Sequence, residues 1–164
     1  MWTEVNKGDV RCRALADRHY SRQTPGHPMF TRPGYNQVLY FVDECGSAVW
    51  VWFRPKWESG IKGTMRKDGL FAIECTLFRN ESAVRSSDLI RAACASLCQW
   101  DRAHDVAWPD GAITGIKSSA TAQRRSKHSL PGVCYRMAGW QEFEHNKSER
   151  ADVWLKLDRE MFSL

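Results

Sequence analysis

Two consecutive runs that are apolar on both faces constrain this chain most. Val38 to Val42 and Ala48 to Phe53 are β-rich and joined by Asp43-Glu44-Cys45-Gly46-Ser47, the pattern of a hairpin. Side chains alternate across a strand, so Trp50 and Trp52 point one way and Val49, Val51 and Phe53 the other. Such a sheet must be covered on both sides. The covering elements are legible. Asp9 to Tyr20 reads as a helix with Asp9 as N-cap. A second helix runs from Ser86 or Ser87 to Asp101, with Leu89, Ala93 and Leu97 on one stripe beside Ile90, Cys94 and Cys98. Leu70 to Phe78 reads as the clearest strand, with Phe71, Ile73, Cys75 and Leu77 on one face and Ala72, Glu74 and Thr76 on the other. Ala112 to Ile116 is a further strand, a short helix opens at Pro131, and Gln141 to Glu144 and Ala151 to Leu157 are the last two strands. That order predicts an α/β fold: a single domain over residues 1–164, a mixed central sheet, helices on both faces.

The connecting segments are irregular or basic. Ser21 to Pro28 and Arg32-Pro33-Gly34 are rich in proline and glycine, and Arg54 to Asp68 and Lys117 to Leu130 are polar and basic. With 164 residues and 43% hydrophobic content the chain can bury a core. No apolar run approaches the ~20 residues of a membrane span, and Met1-Trp2-Thr3-Glu4 has no signal-peptide core, so the expected address is the cytoplasm, with no membrane partner. None of the six cysteines forms a C-x-x-C pair, which disfavours a zinc ribbon and predicts reduced thiols. The formal net charge of +5 arises entirely before residue 68, the remainder being balanced. A one-sided basic surface suits a polyanion such as nucleic acid; an ordinary solvated face is the plainer reading.

Polar residues gather where an open α/β sheet places ligands, at the carboxyl ends of its strands. His19, Tyr20, Ser21 and Arg22 stand at the end of the first helix, and Arg79, Asn80, Glu81 and Ser82 end the long strand. Glu74 lies mid-strand, where an unpaired charge is costly. A general base needs a carboxylate that is partly desolvated and faces the substrate; a structural carboxylate paired with an arginine fits the same position. Tyr135 lies in a Pro131 to Trp140 segment that ends on Gly139-Trp140, and a core aromatic with a satisfied hydroxyl is its plainer reading.

That closing segment, a short helix carrying Tyr135, then Gly139-Trp140 and two strands, resembles the end of GNAT acyltransferases. The resemblance implies a GNAT-like fold, a general base at Glu74 and a general acid at Tyr135. GNAT enzymes hold the CoA pyrophosphate on a glycine-bearing turn at a helix N-terminus. Here the turn is Glu81-Ser82-Ala83-Val84-Arg85-Ser86, with Val84 in place of the first glycine and Glu81 opposing anions. Acetyl-CoA is therefore disfavoured, while Arg79, Asn80, Glu81, Ser82, Arg85, Ser86 and Ser87 remain candidates for holding another donor.

Asp17-Arg18-His19-Tyr20-Ser21-Arg22, Thr76 to Ser82 and Pro131 to Trp140 together resemble the phage Mom proteins. The resemblance implies conversion of adenine in phage DNA to N6-carbamoylmethyladenine, which blocks host restriction. It also implies that His19, Tyr20, Ser21, Arg79, Asn80 and Glu81 are the polar, metal-capable set; iron is compatible with His19 and nearby Tyr and Glu residues, but no ligand spacing assigns a metal. An activated glycyl donor such as glycyl-tRNA would fit a site lacking the CoA glycines, making tRNA a second partner beside double-stranded DNA. In this scheme Glu74 or His19 takes the N6 proton, Tyr135 assists the leaving group, and backbone N–H groups near Arg79 to Ser82 stabilise the oxyanion. The adenine leaves the stack, resting on Trp57, Tyr35, Phe30 or Tyr40. Arg22, Arg32, Arg54, Lys56, Arg66 and Lys67 hold phosphates, with Arg124, Arg125 and Lys127 as a second cluster. Two competing readings are a conventional acetyl-CoA-dependent GNAT N-acyltransferase and a non-enzymatic nucleic-acid-binding domain.

Overall fold

The computed structural model describes residues 1–55, 68–104, 108, 110–121, 130–145 and 151–162. Along the chain come β1 (Thr3–Val5), α1 (Val10–Asp17), β2 (Tyr35–Val42), β3 (Ser47–Arg54), β4 (Ile73–Asn80), α2 (Ser86–His104), β5 (Ala112–Ile116), α3 (Ser118–Thr121), α4 (Val133–Met137), β6 (Gln141–Glu142), β7 (Val153–Leu157) and a closing 3-10 turn (Arg159–Phe162). The strands form one mixed sheet in the order β1-β2-β3-β4-β5-β7-β6. All neighbouring pairs are antiparallel except β4 and β5, which run parallel with α2 as their crossover.

Both faces are covered, as the hairpin required. On one face Val38, Val49, Val51 and Leu77 pack with Cys12, Leu15 and Ala16 of α1. On the other, Trp50, Trp52, Ile73 and Cys75 pack with Leu89, Ile90, Ala93 and Leu97 of α2, and with Tyr135 and Trp140. The α1 face works because Cys12, Leu15 and Ala16 recur at helical spacing. Its start is fixed by the Asp9 carboxylate, which accepts from the N–H groups of Arg11 at 2.9 Å and Cys12 at 3.3 Å.

Several boundaries depart from expectation. The short edge strand β1 carries too few residues to show a period, and sequence reading missed it. Helix α1 ends at Asp17, leaving His19 and Tyr20 beyond it. β4 begins at Ile73 rather than Leu70: Phe71 is 48% exposed and gives its N–H to Asp110 instead of a ladder. Within β4 the alternation breaks. Val51 faces Leu77 and Trp52 faces Cys75, so Thr76 is an extra, bulged residue. Leu77 therefore joins the α1 face while Cys75 and Ile73 lie on the α2 face, against the single-face reading.

Candidate functional site

The polar cluster forms where the two parallel strands part. Ile73 pairs with Ala112, Glu74 with Ile113 and Cys75 with Thr114; there the β4–β5 ladder stops. Beyond it β4 continues to Asn80 along β3, and β5 to Ile116 along β7. The Thr114 hydroxyl donates to the Cys75 carbonyl at 3.0 Å, closing the last rung. The Thr76 bulge lies one residue past that point, where extra twist carries β4 away from its neighbour. An opening at the carboxyl ends of two parallel strands is the usual ligand position of such sheets.

Two tyrosines reach this opening. Past the end of α1, the Tyr20 hydroxyl accepts from the Lys117 N–H at 3.5 Å, just beyond β5. Tyr20 as a residue is 40% exposed, but its hydroxyl end is tucked inward, and burial raises its pKa. The His19 ring lies 4.4 Å from the Tyr20 ring, and the His19 Nδ1 is 2.7 Å from the Ser21 hydroxyl. From the opposite face Tyr135 brings its hydroxyl to 3.5 Å from the Cys75 thiol. Trp50, Phe78 and Trp140 surround its ring at 6.0, 6.1 and 5.3 Å. Burial pushes Tyr135 well above the ordinary phenol value, and the Cys75 thiol up to about 12. The proximity of Tyr20 adds to the rise at Tyr135, and that of Cys75 to the rise at Tyr20, because ionising both members of either pair would set like charges against each other. At neutral pH these are two protonated phenols and an un-ionised thiol.

A clasp holds the α1 end in place. Glu81 accepts from Arg18 at 2.5 and 2.9 Å and from Arg79 at 2.5 Å, while Arg79 also donates to the Arg18 carbonyl. The two guanidiniums lower Glu81 to about 2. Arg79 and Glu81, expected to hold a donor, are thus committed to each other and to the end of α1.

The turn between β4 and α2 is already filled from within. Asp43, in the β2–β3 turn, accepts from Cys45 and Gly46 N–H at 2.9 and 2.8 Å and from Ala83 N–H at 3.1 Å; the Val84 N–H also bonds it. Those four bonds hold its carboxyl below the usual range despite the opposing desolvation. Gly46 permits the approach, since a Cβ there would lie 2.2 Å from the Glu81 carbonyl. Asn80 ties the other side, donating to the Val84 carbonyl and the Ser86 hydroxyl and accepting from Ser82 N–H and Oγ–H. Glu81 N–H goes to the Ser47 carbonyl at 2.9 Å. The expected oxyanion donors at Glu81 and Ser82 are therefore engaged. Ser87 is buried, and exposed Arg85 stands at the α2 start.

Glu74 is not part of this cluster. It is the neighbour of Cys75 on β4, pairs with Phe53, and so points to the α1 face, opposite Tyr135. It is 5% exposed and accepts a two-pronged bond from Arg32, 2.9 Å on each oxygen. The expected cleft with Glu74 as floor and Tyr135 as wall does not form; the arginine-paired reading of Glu74 describes the geometry. Arg32 is thereby committed to Glu74, with its guanidinium over the Phe53 ring at 5.3 Å, rather than to a phosphate.

Two more expected phosphate contacts are internal. Arg22 bonds Asp17 and the carbonyls of Met29 and His27, shaping the loop after α1. Arg54 is buried against Asp101 near Tyr35, at the opposite end of the sheet from the opening. Among the expected stacking residues, Phe30 is in the core and Tyr40 lies under Arg11. Lys56, Trp57, Arg66, Lys67, Arg124, Arg125 and Lys127 lie outside the described residues.

Sequence reading missed Asp43, Cys75, Thr114 and Lys117. A hairpin-turn Asp and a strand Cys carry no local signal of their partners, because those partners are 40 and 60 residues away. Among the described residues no group of three or more His, Cys, Asp or Glu could hold a metal ion, and no helix is long and apolar enough to cross a membrane. Compared with family models, curated proteins and solved structures, the chain matches none.

Proposed function

We propose that this chain is a GNAT-like group transferase that modifies adenine in DNA, with its reaction centre at the β4–β5 opening. The observation that carries the reading is that Tyr135 meets Cys75, and Tyr20 meets the Lys117 backbone, beside the point where the parallel strands β4 and β5 separate. Supporting it are the strand order, the bulge beside the opening, and the motif resemblances of the His19 and Tyr135 segments. The filled β4–α2 turn weighs against a CoA donor, since four N–H groups of that region and its neighbour already hold the Asp43 carboxylate. A glycyl ester such as glycyl-tRNA remains the favoured donor.

His19 replaces Glu74 as the base. The adenine N6 attacks the glycyl carbonyl, a C–N bond forms, the ester C–O bond breaks, and the N6 proton passes through His19 while the departing oxygen gains one. The phenols of Tyr20 and Tyr135 stay protonated at neutral pH and donate to the oxygen that gathers charge. The free glycyl amine then attacks C6 and expels the original nitrogen, which becomes the terminal amide. Atoms balance, and no oxidant is needed.

Nucleoside mass spectrometry of DNA from cells expressing the protein tests the reading. Carbamoylmethyladenine is expected, with nitrogen-labelled glycine placing its label on the ring-attached nitrogen. Unmodified DNA in cells that supply the donor rejects the proposed function; label in the terminal amide rejects the rearrangement.

A further inference from the structure

A second feature borders the opening. Glu142, Phe143, Glu144, His145, Asp152 and Trp154 line a cavity of about 270 Å3 beside the β6–β7 pair. Trp154 pairs with Gly115, and a Cβ on that glycine would meet the indole at 3.0 Å, so the indole packs directly against bare β5 backbone. Its neighbour Leu155 belongs to the Tyr135 face, so Trp154 lies on the α1 face, the side from which Tyr20 arrives. The His145 ring stacks on Phe143 at 5.5 Å and meets Trp154 edge-on at 4.6 Å, giving one continuous aromatic wall.

The carboxylates of the cavity differ in their commitments. Asp152 accepts from the Ser118 N–H and hydroxyl at 2.7 and 2.5 Å, and Glu142 pairs with Arg136. Glu144 is exposed and has no partner among the described residues. Asp152 also links the cavity to the opening: it holds the Ser118 N–H, and the adjacent Lys117 N–H reaches the Tyr20 hydroxyl. An aromatic wall rimmed by carboxylates, with the His145 Nε2 already engaged by Asp68 at 3.2 Å, disfavours phosphate. It suits a flat ring carrying an exocyclic amine, which stacks by its face and donates N–H to carboxylate.

We propose that this cavity receives the unstacked acceptor base, an amine-bearing purine, and presents its amine toward Tyr20. The choice of adenine rests on the proposed function; the cavity as a base site does not. Affinities of the full chain for single-stranded oligo(dA), oligo(dT) and an abasic oligomer, at one fixed salt concentration, test it. Wild type should prefer oligo(dA) over the abasic strand by roughly tenfold, the scale of one stacked base. Trp154→Ala and Phe143→Ala should each erase that preference while leaving abasic affinity unchanged. Glu144→Ala should narrow the dA-over-dT preference, and, being at an exposed position, keeps the test valid if Trp154→Ala does not fold. Equal wild-type affinity for dA and abasic strands, or a preference untouched by all three variants, overturns the base site. Modified DNA in cells without a dA preference overturns only the cavity. A preserved dA preference with unmodified DNA supports the cavity and overturns the enzyme.

Discussion

The two ends of the central sheet handle polar groups in opposite ways. Where β4 and β5 are joined, Arg54 is buried against Asp101, which also accepts from the Trp108 indole N–H. That pair pins α2 to β3. Where the same two strands separate, Tyr135 meets Cys75 and Tyr20 meets the Lys117 backbone, as neutral, hydrogen-bonding groups without an ion pair among them. The closed end neutralises its charges to stay dry. The open end holds proton donors in place without consuming them. Residue type alone does not tell a binding arginine from a structural one; the distinction is whether the fold supplies a partner.

Breaking the closed end should give the largest effect. Asp101→Ala removes the carboxylate against which Arg54 is buried, with an expected stability loss of about 3–5 kcal/mol in denaturant unfolding. A loss below about 1 kcal/mol would show that the pair is not what pins α2. At the open end the signs reverse. Tyr20→Phe and Tyr135→Phe should change stability by roughly 1 kcal/mol or less, since each hydroxyl has one weak partner. Each should cut adenine modification on the order of 100-fold, the lower range for a positioned proton donor. Full activity in both variants would remove the phenols from the chemistry.

Glu74→Gln sharpens the boundary between the two regions. It breaks the charge pair with Arg32, so stability should fall by about 1–3 kcal/mol while modification per folded molecule stays near wild type. A folded variant with modification abolished would restore Glu74 as the base. The smallest effect concerns the clasp. Glu81 is depressed in the folded state from 4.5 to about 2. Its contribution is therefore complete above the ordinary glutamate value and fades as pH falls from 4.5 toward about 2. The stability gap between wild type and Glu81→Gln should shrink across that window; a gap independent of pH there would mean the Arg18 and Arg79 contacts do not act through charge.

Much of the fold was legible because periodicity reports burial. The hairpin, the α2 stripe, the Asp9 cap and the Ala112–Ile116 strand all follow from local pattern. The Thr76 bulge was not legible: it is a mismatch between two strands, and neither strand alone encodes it. That single extra residue put Leu77 on the face opposite Cys75, so a simple alternation mislaid one side of the strand. At the site, Tyr20 and Tyr135 stood out by motif, but their common neighbour Cys75 and the aromatic wall around Trp154 did not. Ordinary core-type residues become distinctive only through what the fold sets beside them.

The chain by itself determined that a sheet covered on both faces must form, because two adjacent strands carry large apolar side chains on both sides, and water cannot be left on either. Tertiary structure alone decided which polar residues are spent and which are offered. Arg22, Arg32, Arg54 and Glu74 are matched by charges 5, 42, 47 and 42 residues distant, whereas Tyr20 and Tyr135 converge from opposite faces at the end of one ladder. Counter-charge and desolvation depend on distance in space, which the order of residues along the chain does not fix.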